Sequence, residues 1–264
     1  MKVDVNHSIL GQYFIGHFDG ARFVSDAFSD RGFRLDYGKD FYAAQSWSDN
    51  PTGRRIWVGW MNNWDYANAI PTSPWRGMFS IPRELRLRQY PEGLRLVQQP
   101  IPELRSLRRA LYHAAEGDLA TVNAQLAASK MGIAQEIEAE FALGAAREFG
   151  IKIRAGGAEE TVIGYDAQTQ TMFVDRRRAG NNAFSPKFAG LHRAPLTPKQ
   201  GKIKFHIFID SCAVEVFGND GWVVITDLIF PDPQSAGVEF YARDGEAQLN
   251  SLDVWNLNFE SEHS

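Results

Sequence analysis

Lys202-Ile203-Lys204-Phe205-His206-Ile207-Phe208-Ile209 is the stretch that decides the fold class. Ile203, Phe205, Ile207 and Ile209 recur at every second position, so in an extended chain they share one face while Lys202, Lys204 and His206 share the other. A period of two carried by branched and aromatic side chains predicts a half-buried strand. Just beyond it, Ala213-Val214-Glu215-Val216-Phe217 and Trp222-Val223-Val224-Ile225-Thr226 flank Gly218-Asn219-Asp220-Gly221. Those four residues tolerate positive φ, so the segment reads as a hairpin.

Working outward, similar pairs are expected between Thr161 to Tyr165 and Thr171 to Asp175, across Asp166-Ala167-Gln168-Thr169-Gln170, and between Glu136 to Leu143 and Glu148 to Arg154. Helical stripes are scarce. The expected class is all-β, with residues 113–264 forming a C-terminal antiparallel β-sandwich. Toward the start, short strands at Gln12 to His17, Phe41 to Trp47 and Arg55 to Trp60 are joined by polar loops, which suits propeller blades over residues 1–97. Between the halves, Gln98-Gln99-Pro100-Ile101-Pro102-Glu103-Leu104 carries two prolines, and a basic, weakly helical Arg105 to Tyr112 follows; residues 98–112 are the expected linker.

Composition narrows the function classes. The 264 residues are 44% hydrophobic and 23% charged, which excludes whole-chain disorder. A net charge of -4 supplies no positive field for a nucleic acid. No run approaches the roughly 18 apolar residues of a membrane span, and Met1 to His7 lacks a signal peptide's apolar stretch, so neither membrane nor address is expected and localisation stays open. Cys212, the single cysteine, reads as a small buried hydrophobe, and the six histidines form no H-x-x-x-H pair. No cofactor or metal is expected. Asp26, Asp30, Asp36 and Asp40 make no dense acidic loop for calcium and are expected to be solvated or paired.

Five of the seven tryptophans (Trp47, Trp57, Trp60, Trp64 and Trp75) crowd into residues 47–75. Indoles fill β cores, and exposed indole faces also stack on sugar rings. Trp57, between Ile56 and Val58, suits a strand buried on both faces. Trp60 and Trp64, around Met61-Asn62-Asn63 at the strand's end, suit a pocket rim. Beside them, Asp36-Tyr37-Gly38-Lys39-Asp40-Phe41-Tyr42 gathers carboxylates, an ammonium and phenols, the groups that orient sugar hydroxyls. Taken alone, these residues leave two readings open, a sugar pocket or an ordinary loop with a surface ion pair.

A resemblance discriminates between them. Leu35-Asp36-Tyr37-Gly38-Lys39-Asp40-Phe41-Tyr42-Ala43-Ala44-Gln45-Ser46-Trp47, Trp57-Val58-Gly59-Trp60-Met61-Asn62-Asn63-Trp64, Pro71-Thr72-Ser73-Pro74-Trp75-Arg76-Gly77 and Ser80-Ile81-Pro82-Arg83-Glu84-Leu85 closely resemble, in order, glycoside hydrolase family 32. Phe208 to Gly221 resembles that family's C-terminal sandwich. The resemblance implies a β-fructosidase of the levanase, inulinase and invertase kind: a five-bladed propeller with a funnel-shaped fructoside site, a β-sandwich, and double-displacement hydrolysis of levan, inulin or sucrose. It also implies that Asp36, Lys39, Tyr42, Trp60, Trp64, Trp75 and Arg76 match positions lining the substrate pocket, with Asp36 and Lys39 toward the aglycone side.

The family's nucleophile is the Asp of W-M-N-D-P-N-G, its transition-state stabiliser the Asp of R-D-P and its acid/base the Glu of an E-C motif; none is present here. Trp60-Met61-Asn62-Asn63-Trp64 mimics the first motif only superficially, with Asn63 in place of the carboxylate, no Pro-Asn-Gly and the wrong place in the order, and Cys212 follows Ser211 rather than Glu. Retaining glycosidases need two carboxyl groups about 5 to 5.5 Å apart, so the chain alone is expected to be inactive. Residues 1–97, at about 40 to 45 residues per blade, make about two blades, and a ring needs about four. The expected protein is therefore the C-terminal part of a β-fructosidase with a partial propeller. Its partners would be a fructan or sucrose-type carbohydrate, together with missing blades on a separate chain or self-association through exposed edges. A non-catalytic fructan-binding protein and one half of a split enzyme are the alternatives.

Overall fold

The alternation in Lys202–Ile209 is realised as expected: Ile203, Phe205, Ile207 and Ile209 are all buried. The computed structural model describes residues 2–4, 11–26 and 32–258, the first three by backbone alone. Asp30, one of the carboxylates considered for calcium, and Met1 with residues 5–7 of the considered leader lie outside the described residues.

A six-stranded antiparallel sheet runs in the order Arg108–Ala114, Gln248–Leu257, Gln135–Ala142, Lys202–Ile209, Ala213–Gly218, Val223–Leu228. A five-stranded antiparallel sheet runs Leu191–Pro195, Thr171–Arg178, Glu159–Asp166, Glu148–Gly156, Gly237–Arg243. One apolar core joins them, with Phe141 and Phe205 from the first sheet meeting Phe149, Tyr165 and Phe240 from the second. The Phe141 and Phe149 ring centroids are 4.8 Å apart. Each such side chain removed from water contributes about 1.5 to 3 kcal/mol, which is why strict alternation suffices to bring the two sheets face to face.

The hairpins at 213–228 and 159–178 form as expected. The one expected between Glu136 to Leu143 and Glu148 to Arg154 does not: Gln135–Ala142 pairs with Lys202–Ile209 and Gln248–Leu257, whereas Glu148–Gly156 pairs within the other sheet. Both strands are apolar enough to belong to either partner, and the chain crosses between sheets at 143–147. The expected weak helix at Arg105 to Tyr112 is a 3-10 turn, Pro102–Leu107, followed by the edge strand Arg108–Ala114, and Gln98 to Pro100 complete the strand Gly93–Pro100. An unforeseen α-helix, Leu119–Ala127, is capped by Asp118, which accepts from the Thr121 N–H at 2.9 Å. Only Val122 and Leu126 of that helix are buried, too few to leave a periodic signal. Its Asn123 carboxamide engages both backbone groups of Phe240, closing the free side of the edge strand Gly237–Arg243.

The first hundred residues build a five-stranded sheet ordered Gly93–Pro100, Arg83–Tyr90, Arg55–Met61, Tyr42–Ser46, with Met78–Phe79 also paired to Arg55–Met61. Trp57 belongs to the core there, with Tyr13, Leu35, Phe41, Leu85 and Leu96. Its strand is buried on one face rather than two: Trp57, Gly59 and Met61 are covered and Ile56, Val58 and Trp60 are half-buried. The expected strand Gln12 to His17 is split, Gln12–Phe14 pairing with Phe33–Arg34 and Gly16–Phe18 with Phe23–Ser25.

These sheets meet the C-terminal ones along a backbone seam. The Tyr37 N–H donates to the Val224 carbonyl at 2.8 Å and the Asp40 N–H to the Thr226 carbonyl at 3.1 Å, so residues 37–40 cover the outer edge of Val223–Leu228. At the seam's other end the Gln98 N–H donates to the Gly221 carbonyl at 3.1 Å.

Candidate active-site remnant

The seam explains the acid-rich string Asp36-Tyr37-Gly38-Lys39-Asp40. Asp36 is 3% exposed. One carboxylate oxygen accepts from the Gly38 and Thr226 N–H groups at 2.8 and 2.9 Å, and the other accepts from the Thr226 hydroxyl at 2.6 Å and Arg83 Nη1 at 3.0 Å. Arg83, fully buried, also donates to Glu215 Oε2, with Nη2 at 2.5 Å, and to Gln98 Oε1 at 3.1 Å. Its guanidinium lies over the Phe41 ring at 4.2 Å. Burial pushes both the Asp36 and the Glu215 carboxyls up, against the pull of Arg83.

Asp40 forms the second buried latch. It accepts from Arg176 Nη1 at 2.5 Å, from the Tyr66 hydroxyl at 2.5 Å and from the Leu228 N–H at 2.8 Å. Arg176 Nη1 also stands 3.6 Å from Asp227, which is 2.7 Å from His192 Nδ1 and accepts from the Lys39 N–H at 3.0 Å. Burial raises Asp40; it works the same way on Asp227, where the nearby His192 and Arg176 overcome it and hold that carboxyl below the usual range.

Above this latch lies an aromatic shelf. Tyr42 and Trp60 are cross-strand partners with ring centroids 6.2 Å apart, and Trp60 and Trp64 stand 4.9 Å apart. Trp64 and Trp75 are 65% and 61% exposed, and Phe79, opposite Trp60 on the neighbouring strand, is more exposed still. Gly77 has φ +79°, and a Cβ there would stand 2.7 Å from the Trp60 indole nitrogen, so only glycine lets the 70–77 loop lie against that ring. Arg76 donates to the carbonyls of Ile70 and Thr72, closing the same loop below Trp75.

Lys39 and Asp65 hold the shelf from behind. Lys39 Nζ is 3.1 Å from Asp65 and donates to the Lys187 carbonyl at 2.7 Å, while Lys187 Nζ donates to Asp65 at 2.8 Å. Thus a loop of the C-terminal half fixes the residue next to Trp64. The structure brings Tyr42, Trp60 and Trp64 together, places Trp75 and Arg76 on the loop packed against Trp60, and seats Lys39 behind them. Asp36 is apart, its carboxylate turned into the seam.

The Lys187 hydrogen bond holds Asp65 below the usual carboxylate range. A lowered folded-state pKa stabilises above the unfolded value of about 4 and the contribution is lost as pH falls through the folded value. Asp65→Asn is therefore expected to flatten the acid limb of a melting-temperature profile below about pH 4 while leaving the neutral limb parallel to wild type. Identical acid limbs would show that the pair contributes nothing.

Asp65, Lys187, Arg176 and Asp227 carried no motif, and Arg83 and Glu215 lay inside matched strings with no role assigned to them. For Arg83, Arg176, Glu215 and Asp227 the available signal was charge at buried strand positions, as in Ala213-Val214-Glu215-Val216-Phe217; Asp65 and Lys187, in turns, left none. Among the described residues, Glu136, Glu138 and His206 form a group whose spacing would suit a metal ion. Arg108 already binds both carboxylates, at 2.5 to 2.7 Å, so a guanidinium occupies the role of a cation there. Cys212 is half-buried just before Ala213–Gly218, and burial pushes its thiol up.

Residues 2–100 match the profile described as glycosyl hydrolases family 32 N-terminal domain, and residues 103–256 match glycosyl hydrolases family 32 C terminal. A levanase of Bacillus subtilis is 47% identical over 97% of this chain and 39% of its own length. An extracellular exo-inulinase of Aspergillus awamori is 33% identical over 93% of this chain and 48% of its own. The crystal structure of an exo-inulinase from that fungus superposes with a TM-score of 0.83 at 31% identity, covering 94% of this chain and 50% of the other. The chain thus spans half or less of the length of these relatives.

Proposed function

The chain belongs to glycosyl hydrolase family 32, and from that premise we propose that it is the C-terminal part of a β-fructosidase acting on fructan or sucrose-type substrates. In this reading residues 1–97 are the last two or so blades of a propeller, 98–112 connect them to a sandwich, and 113–264 are that sandwich. Tyr42, Trp60, Trp64 and Trp75 cover the apolar face of a fructosyl ring, Lys39 and Arg76 hold the loops that carry them, and Asp36 acts from beneath through the seam.

One observation carries the expectation that the chain alone does not hydrolyse. Among the described residues, the carboxylates adjoining the shelf are already engaged: Asp65 by two lysines, Asp40 and Asp36 by buried arginines. A proton donor needs a raised pKa and access to the leaving oxygen, and a nucleophile needs an open face. Asp65 has its pKa lowered; Asp40 and Asp36 have no access. Asn63, in the string that only mimics the nucleophile's motif, is a fully buried amide donating to the Lys39 carbonyl at 2.7 Å.

The purified chain is expected to release no fructose from levan, inulin or sucrose above a no-enzyme control, while co-expression with a segment bearing the W-M-N-D-P-N-G, R-D-P and E-C motifs restores release. Turnover by the chain alone would overturn the catalytic part of this reading. The exposure of Trp64 and Trp75 also favours a second reading, carbohydrate binding without cleavage. Calorimetric titration with levan oligosaccharides should then give a saturable heat that falls in Trp64→Ala.

A further inference from the structure

Away from the shelf, a cavity of about 580 Å³ opens where the two halves meet at Tyr90 and Trp222. Tyr90 ends the strand Arg83–Tyr90 and Trp222 leads into Val223–Leu228; their rings stand edge to face with centroids 3.9 Å apart. Both are half-buried, and Pro91 and Pro198 continue the apolar lining. The rim carries Glu92, Lys199 and Gln200. Among the described residues no hydrogen bond or ion pair engages the Glu92 carboxylate or the Gln200 amide, and Lys199 reaches Asp220 only at 3.3 Å on an exposed surface.

The rim loops are rigidly built. Asn219 accepts from the Lys204 N–H at 2.9 Å, donates its own N–H to the Lys204 carbonyl at 2.9 Å and donates its amide to the Thr197 carbonyl at 2.8 Å. Gln200, Asn219 and Asp220 all adopt positive φ, at 53°, 44° and 61°. These are tight-turn positions, where Asn and Asp tolerate positive φ, so the turns give the rim a fixed shape. By contrast, the smaller cavity near Arg108 is lined by ion pairs that already satisfy one another.

From these features we infer that this cavity is a second carbohydrate site, taking a neutral oligosaccharide against the Tyr90 and Trp222 pair. One acid and one base on the rim give no net charge to select an ion, and free carboxylate and amide groups beside aromatic and proline surfaces suit hydroxyls on one edge of a ring and C–H groups on its face. It rests on the carbohydrate reading above, as a tether for a polymer whose other end meets the shelf.

Calorimetry and tryptophan fluorescence with a levan oligosaccharide test it on four forms of the whole chain: wild type, Trp64→Ala, Trp222→Ala and Glu92→Trp, the last plugging the cavity from an exposed turn should Trp222→Ala fail to fold. Two sites are expected in wild type and one in Trp64→Ala; Glu92→Trp should lose the other site, its affinity falling about tenfold or more. Loss of all binding in Trp64→Ala with unchanged stoichiometry in Glu92→Trp would overturn this inference and leave the shelf reading standing. No binding by any form would overturn both.

Discussion

Arg83→Met is expected to lower unfolding free energy by about 3 to 5 kcal/mol, a large share of the roughly 5 to 15 that holds a domain folded. The methionine fills most of the arginine's volume against Phe41, so the loss is not one of packing. It arises because Asp36 and Glu215, both almost fully buried, keep their carboxylates with no guanidinium between them. A buried carboxylate without a counter-charge takes up a proton to remain buried, so its folded-state pKa moves further above the unfolded value. For a raised pKa the stabilising contribution is present below the unfolded value, about pH 4, and is lost as pH rises through the folded one. The defect should therefore be largest at pH 8 and shrink toward pH 5. Urea unfolding followed by circular dichroism at both values measures it. Arg83→Lys, which keeps the charge but cannot fork to two acids, should fall between. Adding Asp36→Asn and Glu215→Gln to Arg83→Met should recover part of the loss by removing the stranded charges. A loss below about 1 kcal/mol that does not vary with pH would mean the latch contributes nothing.

The same latch marks where the sequence was legible and where it was not. Lys202–Ile209 announced itself because burial of one face writes itself into the chain as period two, whereas Gln248–Leu257 and Gly237–Arg243, whose alternation is broken, went unread. Partner choice did not announce itself: Gln135–Ala142 and Glu148–Gly156 share that period and sit in different sheets, since alternation states that a strand is half-buried without saying against what. At the site, the tryptophan cluster showed as an excess of indoles, and Trp64 and Trp75 stand exposed. The roles of Asp36 and Asp40 were hidden, because their partners Thr226, Arg176 and Leu228 lie more than 130 residues away. A carboxylate facing a sugar and one facing an arginine look alike in sequence. Gly38, between the two acids, lies where another backbone comes close, and the sequence reading drew nothing from it.

That glycine supplies the second large effect. Gly38→Ala is expected to cost at least about 3 kcal/mol and to loosen the two halves from one another. A Cβ built there stands 2.1 Å from the Thr226 carbonyl oxygen and 2.4 Å from its nitrogen, distances no side-chain rearrangement relieves because both atoms are backbone. Thr226 is itself pinned by Asp36 through N–H and hydroxyl, and its strand is fully buried, so it cannot retreat. Residues 37–40 must instead lift, giving up the hydrogen bonds from Tyr37 and Asp40 to Val224 and Thr226 and exposing the edge of Val223–Leu228. Lys39 would move with them, taking its contacts to Asp65 and Lys187 and hence the footing of Trp64. Two readouts separate this from general destabilisation: hydrogen exchange should quicken at 223–228 before it does in Lys202–Ile209, and Trp64 emission should change under conditions where the far-ultraviolet spectrum does not. Gly20, exposed in a separate turn, is the control: Gly20→Asn strains its own turn at φ +101° and should leave both seam readouts unchanged. Uniform acceleration across the sheet in Gly38→Ala would mean that the seam is not an independent unit, and that the shelf draws no support from it.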